Sequence, residues 1–330
     1  MNRKHIKKGA AAFLLTLIFI ITACDNGSTS NSNPSLSKAE EVAVALNRDF
    51  GGASRVIASV DATDKTIVNI INPLVISAND YTLGLDRTVI LKATTTGYIS
   101  ADGKKFTLNG DGTIWAAGSG SLRLGTAQTS QIALGSGSTI RYGDTAAAST
   151  AGTGSIILAP GARFIVDADL AGIPSVISAT GLSLTINTGK TLNLNTNLPF
   201  DTMNVLGTVT LTGNPKLSAA KGLNISDTGK IDAAANAIIE FAANAFLAGI
   251  STSKSGTGTD HDVTITDWTL TPAATADLKA YMDGTLIESV TPDGSSSSGN
   301  GRIEAVNMLT LTATTPTALN KDTLFAVSYR

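Results

Sequence analysis

The side chains able to do chemistry are few and scattered. The densest group is Arg163-Phe-Ile-Val-Asp167-Ala-Asp169, whose three charged residues share one parity and so fall on one outer face of a straight strand. Glycan hydrolysis or elimination needs two carboxylates at a working separation, or carboxylates on Ca²⁺ beside a basic residue. A solvated charge cluster on an exposed strand produces the same spacing, and Arg163, Asp167 and Asp169 are read that way, with no catalytic role. Asp260-His261-Asp262 sets a His between two acids, in a segment of loop character. With Cys24 the single Cys and His261 the one His after residue 5, a Cys-based metal site is excluded and a Ser-His-Asp triad is not expected. No metal or cofactor is expected. Gly118-Ser-Gly120 and Gly135-Ser-Gly137 lack the Lys-Ser/Thr ending and the following helix of a phosphate loop. Trp115, Tyr98 and Tyr142 could stack on sugars if they faced outward, and packing is the preferred expectation for each.

Charge narrows the partners. The first 23 residues carry Arg3, Lys4, Lys7 and Lys8 and no acid, which leaves 20 bases against 26 acids in residues 24–330. A mildly acidic chain has no electrostatic grip on phosphate backbones, so nucleic acid is not an expected partner.

Residues 1–9 are basic, and Ala10–Ala23 (AAAFLLTLIFIITA) is a 14-residue apolar run, too short to span a bilayer and typical of a signal-peptide core. Ile21-Thr22-Ala23-Cys24 follows it, with a branched apolar residue, two small ones and Cys. This junction resembles the lipobox of bacterial lipoproteins. The resemblance covers residues 1–24 and implies that residues 1–23 are removed and that the Cys24 thiol carries a diacylglyceryl group, making membrane lipid a partner. A thiolate is the nucleophile that forms such a thioether, and two or more acyl chains hold a protein stably on a bilayer. Asp25 is the residue that favours inner-membrane retention in enteric lipoproteins. That rule does not extend to all double-membrane bacteria, and the expected location is the outer membrane or cell surface.

Residues 24–37 are almost entirely Ser, Asn, Gly, Thr and Pro and read as a lipidated flexible tether. Ser37-Lys-Ala-Glu40 has capping-box spacing. Ala39, Val42, Ala43, Leu46 and Phe50 then share one helical face, and Gly51-Gly52 ends it, which predicts a short amphipathic capping helix over 38–52.

From Val56 the apolar period changes to two. Leu182-Ser-Leu184-Thr-Ile186, Leu192-Asn-Leu194, Val209-Thr-Leu211 and Leu223-Asn-Ile225 alternate apolar residues with Thr, Ser or Asn. Gly189, Gly207 and Gly229 recur before new short strands, like repeated corners, and no crossover helix fits between them. The expected fold class is therefore all-β: a parallel β-helix, or β-solenoid, over 53–260, with the capping helix before it and a small antiparallel β domain or cap over 261–330. At about 20–25 residues per coil, 56–260 holds roughly eight to ten coils of irregular period. Asp232–Ile250 fits either a helix or a further coil, and Ser251–Asp260 reads as a linker or exposed loop. Val263–Leu270, Leu278–Met282, Leu286–Val290, Ile303–Leu311 and Leu324–Tyr329 read as five strands, with an Asp283-Gly284 hairpin turn and a loop tip at Ser295–Ser298.

In pattern and composition, over some two hundred residues, the middle region resembles parallel β-helix proteins among bacterial surface adhesins and lipoproteins. That resemblance implies a lipid-anchored structural or adhesive envelope protein presenting a polar face to glycan or protein. The alternative it leaves is a carbohydrate-active β-helix enzyme, a polysaccharide lyase or glycosidase. The Thr208, Thr210 and Thr212 row also resembles the ice-binding faces of other solenoids, a remote third option.

Overall fold

The computed structural model describes residues 36–330 except 53, 144–147, 150–152, 176, 180, 258–260, 273–277 and 288–296. Cys24, the leader and the tether up to residue 35 lie outside the described residues.

The helix forms where the capping box placed it, over Lys38–Phe50. Ser37 Oγ accepts from the Glu40 N–H, and a Glu40 carboxylate oxygen accepts from the Ser37 N–H. Ala39, Val42, Ala43 and Leu46 face the core, and Gly51 closes the last turn by donating its N–H to the Asn47 carbonyl.

Beyond the helix the chain winds through three faces per coil. The first face stacks Ile67–Ile70, Ile90–Ala93, Thr113–Ala116, Thr139–Gly143, Arg163–Asp167 and Ser183–Ile186 in parallel. It continues through the second halves of Leu198–Val205 and Lys216–Ile225 and the start of Phe246–Gly256, which makes nine levels. The second face holds Leu74–Ile76, Ile99–Ala101, Leu122–Leu124 and Ala148–Ser149, then Thr191–Leu194, Thr208–Leu211 and Lys230–Ala233. The third runs from Tyr81–Gly84 through Lys105–Asn109, Gln131–Leu134 and Ser155–Leu158 to Ile177–Ala179, and lower down uses the first halves of the long strands and Ile238–Phe241. Strands within residues 182–231 pair with one another only in parallel, as a solenoid requires. Residues 232–250, ambiguous by composition, form the ninth coil.

Exact register turns the period-two alternation into ladders. Val68, Leu91, Ile114, Ile140, Phe164, Leu184, Met203, Leu223 and Leu247 are successive partners on the first face, and all nine are buried. Burying typically two apolar side chains per face per coil drives the stacking, at roughly 25 cal/mol per Å² removed from water. Coil length varies with the corners: Ser183 and its partner Thr202 are 19 residues apart, whereas Thr113 and Thr139 are 26 apart. That variation is why no single period emerges from the sequence.

Antiparallel pairing covers the first face at the start of the stack and all three faces at its far end. At the start, Ala58–Val60 pairs antiparallel to Ile67–Ile70. The Asn47 amide then occupies the edge so created, its Oδ1 accepting from the Ile57 and Ala58 N–H groups and its Nδ2 donating to the Ala58 carbonyl. At the far end Ser297–Ala305, Leu309–Ala313 and Thr317–Asn320 each lie antiparallel on the last strand of one face. These three are consecutive, so they form a final coil wound in the reverse sense. It covers the edges of the last parallel strands, which would otherwise template association.

Several local expectations change. Ser251–Asp260 is not a linker up to Gly256, because the strand Phe246–Gly256 continues through it, held by Ser297–Ala305 and Leu324–Tyr329. Val263–Leu270 is two strands, His261–Ile265 and Trp268–Thr271, because Asp267 at φ 63° turns the chain back. Ile303–Leu311 is likewise broken at 306–308, and Ser297-Ser298 lie in a strand rather than a loop tip. The Asp283-Gly284 turn forms as expected, with φ of 50° and 81° joining Leu278–Met282 to Thr285–Leu286.

Candidate functional site

On the outer side of the first face, register brings side chains of distant residues together. Lys92, Trp115 and Arg141 are successive partners. The Lys92 ammonium lies 4.0 Å from the Trp115 ring centroid and the Arg141 guanidinium also 4.0 Å from it. Trp115 therefore faces outward, as sugar stacking would need, and the Lys92 and Arg141 cations lie over its ring. Its indole N–H has no hydrogen-bond partner.

Arg141 continues the chain of contacts to Asp167. Its Nε donates to Asp167 Oδ2 at 2.6 Å, and Asn187 Nδ2 donates to Asp167 Oδ1 at 2.9 Å. The Asp167 partner in register is Gly143, and a Cβ there would stand 2.6 Å from Asp167 Cβ. The missing side chain makes the space that the carboxylate uses. Arg163 and Asp167 do point outward from one strand, flanking the buried Phe164 and Val166. Asp169 falls beyond the strand end, at a corner, where its Oδ1 accepts from the Thr191 N–H at 2.7 Å. Asp167 and Asp169 thus serve different contacts between coils, and both oxygens of Asp167 are engaged by neighbours. The partners Lys92, Arg141 and Asn187 escaped sequence reasoning, because finding them requires the register between coils of 23, 26, 24 and 20 residues.

Elsewhere the candidates separate. Tyr98 carries the Arg123 guanidinium at 3.4 Å, and Tyr142 is buried against Phe164. The glycines at 118–120 and 135–137 lead into strands, Leu122–Leu124 and Thr139–Gly143, and not into a helix. Asp262 is paired with Arg330, and Asp260 lies outside the described residues. Among the described residues no group of three or more His, Cys, Asp or Glu side chains could hold a metal ion. The threonine row is interrupted, since Thr208 and Thr210 have Lys230 and Asp232 as partners on the next coil, and those two form an ion pair at 2.7 Å.

A groove that sequence reasoning missed lies at the corner between the third and first faces, spanning the coils from residue 179 to residue 243, with Met308 at its side. Its volume is about 540 Å³, and its walls include Leu182, Pro199, Ala220, Ala242 and Met308 with the carboxylates Asp201 and Glu240. Asp201 pairs with Lys221 at 2.6 Å and Glu240 with Lys216 at 3.1 Å. Gly181 admits the Asp201 carboxylate, which a Cβ would meet at 2.6 Å. Beside the groove, Thr185, Asn204 and Asn224 are successive outward partners on the first face. Next to them Thr202 Oγ1 donates to Ser183 Oγ at 3.2 Å. The only sequence signal for the groove is the run of small residues that faces it, which composition alone does not distinguish from tight corners.

No protein-family model, curated protein or solved structure matches this chain.

Proposed function

We propose that the protein is a structural or adhesive component of a bacterial cell envelope, anchored through lipid on Cys24 and presenting its coils to glycan or protein. The outer membrane or cell surface is the location this reading favours. The observation that carries it is the in-register row Thr185, Asn204 and Asn224, which offers uncharged hydrogen-bonding groups once per coil, about 4.8 Å apart. A glycan repeats donors and acceptors along its length and can engage such a row at several points, gaining avidity from weak contacts. The adjoining groove favours a second reading, a carbohydrate-active enzyme using Asp201 and Glu240.

The test is a glycan array probed with the purified chain and with Asn204→Ala/Asn224→Ala, alongside an assay for new reducing or unsaturated ends. The adhesive reading expects binding that the double variant loses and no chain cleavage. Cleavage abolished by Asp201→Ala or Glu240→Ala selects the enzyme, and binding untouched by the double variant overturns the role of the row. Radiolabelled palmitate incorporation that disappears in Cys24→Ala tests the anchor, and persistence of label sinks it.

A further inference from the structure

Within Ser37–Arg330, seven large hydrophobic side chains among the described residues are exposed, and four of them lie between residues 44 and 75: Val44 at 51%, Val56 at 40%, Ile71 at 44% and Val75 at 37%. Hydrogen bonds tie together the segments that carry these four, at the helix and first coil. Val44 stands one helical turn before Asn47, whose amide grips Ile57 and Ala58. The Val56 carbonyl accepts from Asn72 Nδ2 at 2.7 Å, and the Ile71 N–H donates to the Ile57 carbonyl at 2.8 Å. Arg55 donates to the Pro73 carbonyl, and Val75 points outward from Leu74–Ile76, the first strand of its face. Of the ions alongside, Lys38 pairs with Glu41 and Arg48 with Asp49, while Arg55 is held by the Pro73 carbonyl.

We propose that this patch rests against the lipid surface in which Cys24 is anchored, an inference that builds on the lipid-anchor reading. Residues 25–36 are all that separate Cys24 from the helix cap. Twelve residues reach at most about 43 Å when fully extended, and about 20 Å as a flexible chain. The first coil is thus the part of the body held beside the bilayer, at a high effective concentration of lipid surface. A weakly apolar patch that would not bind a membrane from solution is sufficient under that constraint. The exposed apolar side chains make the contact one of apolar insertion, which a neutral lipid surface suffices to accept.

The experiment uses the acylated full chain reconstituted into phosphatidylcholine vesicles. Val75→Cys and Leu324→Cys are each labelled with a nitrobenzoxadiazole fluorophore, since acylated Cys24 has no free thiol. Brominated phosphatidylcholine should quench the label at residue 75 about twofold and leave that at residue 324 unchanged, as expected for a face seated in the headgroup and acyl boundary. Adding Val56→Asp and Ile71→Asp should abolish the quenching at residue 75 without changing the circular dichroism. An unquenched label at residue 75, in protein that floats with the vesicles, overturns the inference and leaves the anchor standing. Quenching that follows protein density instead of bromine overturns it in favour of a second copy of the chain. A parent chain that labels at Cys24 and fails to float removes the anchor and the inference together.

Discussion

Asp61 stands at the turn between the first two antiparallel strands and holds it with three bonds. Its Oδ1 accepts from the Thr63 and Asp64 N–H groups and its Oδ2 from Asn69 Nδ2. The Asp64 N–H, then Asn69 and Thr63, draw its pKa down to about 2. A carboxylate depressed in the folded state stabilises it fully above its unfolded pKa of about 4, and that contribution fades as pH falls through about 2. Asp61→Ala should therefore lower the thermal midpoint at pH 7, with the gap from the parent narrowing between about pH 4 and pH 2. A gap that stays constant across that range would place the effect elsewhere. At Asp167 the expectation is different, because its role is to anchor Arg141 over Trp115. Asp167→Ala should cost on the order of 1–2 kcal/mol and change Trp115 fluorescence as Arg141 is released. Asp169→Ala should leave that fluorescence alone. The parity of Arg163, Asp167 and Asp169 was legible in the sequence, but their partners were not, since these come from other coils.

Among the elements, the corners decide how closely coils approach. A Cβ on Gly229 would stand 1.9 Å from the Val205 carbonyl oxygen on the coil before, whereas Gly189, at φ 71°, has no neighbour within 4 Å. Gly229→Ala must push two coils apart and should cost more than about 2 kcal/mol. Gly189→Ala pays only for its left-handed backbone, about 1 kcal/mol. Chemical denaturation of both variants checks the order, and a reversal would contradict this account of the corners. Both glycines were recognisable in the sequence as punctuation. Which one serves conformation and which one proximity is visible only when the preceding coil is in place.

For the whole molecule, stability depends on closed ends as much as on the ladders. Removing residues 261–330 would strip the reverse-wound coil from Lys230–Ala233, Ile238–Phe241 and Phe246–Gly256, leaving three edges with unpaired backbone groups. The truncated chain should associate, rising in mass by light scattering as concentration increases. A monodisperse monomer would show that the C-terminal strands do something other than protect the stack.

Alternation of Leu, Ile and Val with Thr, Ser and Asn was enough by itself to determine short strands that each bury one face, and the glycine corners between them pointed to stacked coils. Alternation alone does not set direction, since Leu309–Ala313 alternates in the same way and pairs antiparallel. The Ser37–Glu40 box likewise determined the helix, because capping is local. Tertiary structure alone decided that Trp115 lies between Lys92 and Arg141, that Asp201 and Glu240 border one groove, and that the last coil runs backwards. Those outcomes depend on register between residues some twenty positions apart, and register is set by corner lengths that vary from coil to coil. A single sequence carries no local mark of where each coil closes on the one before.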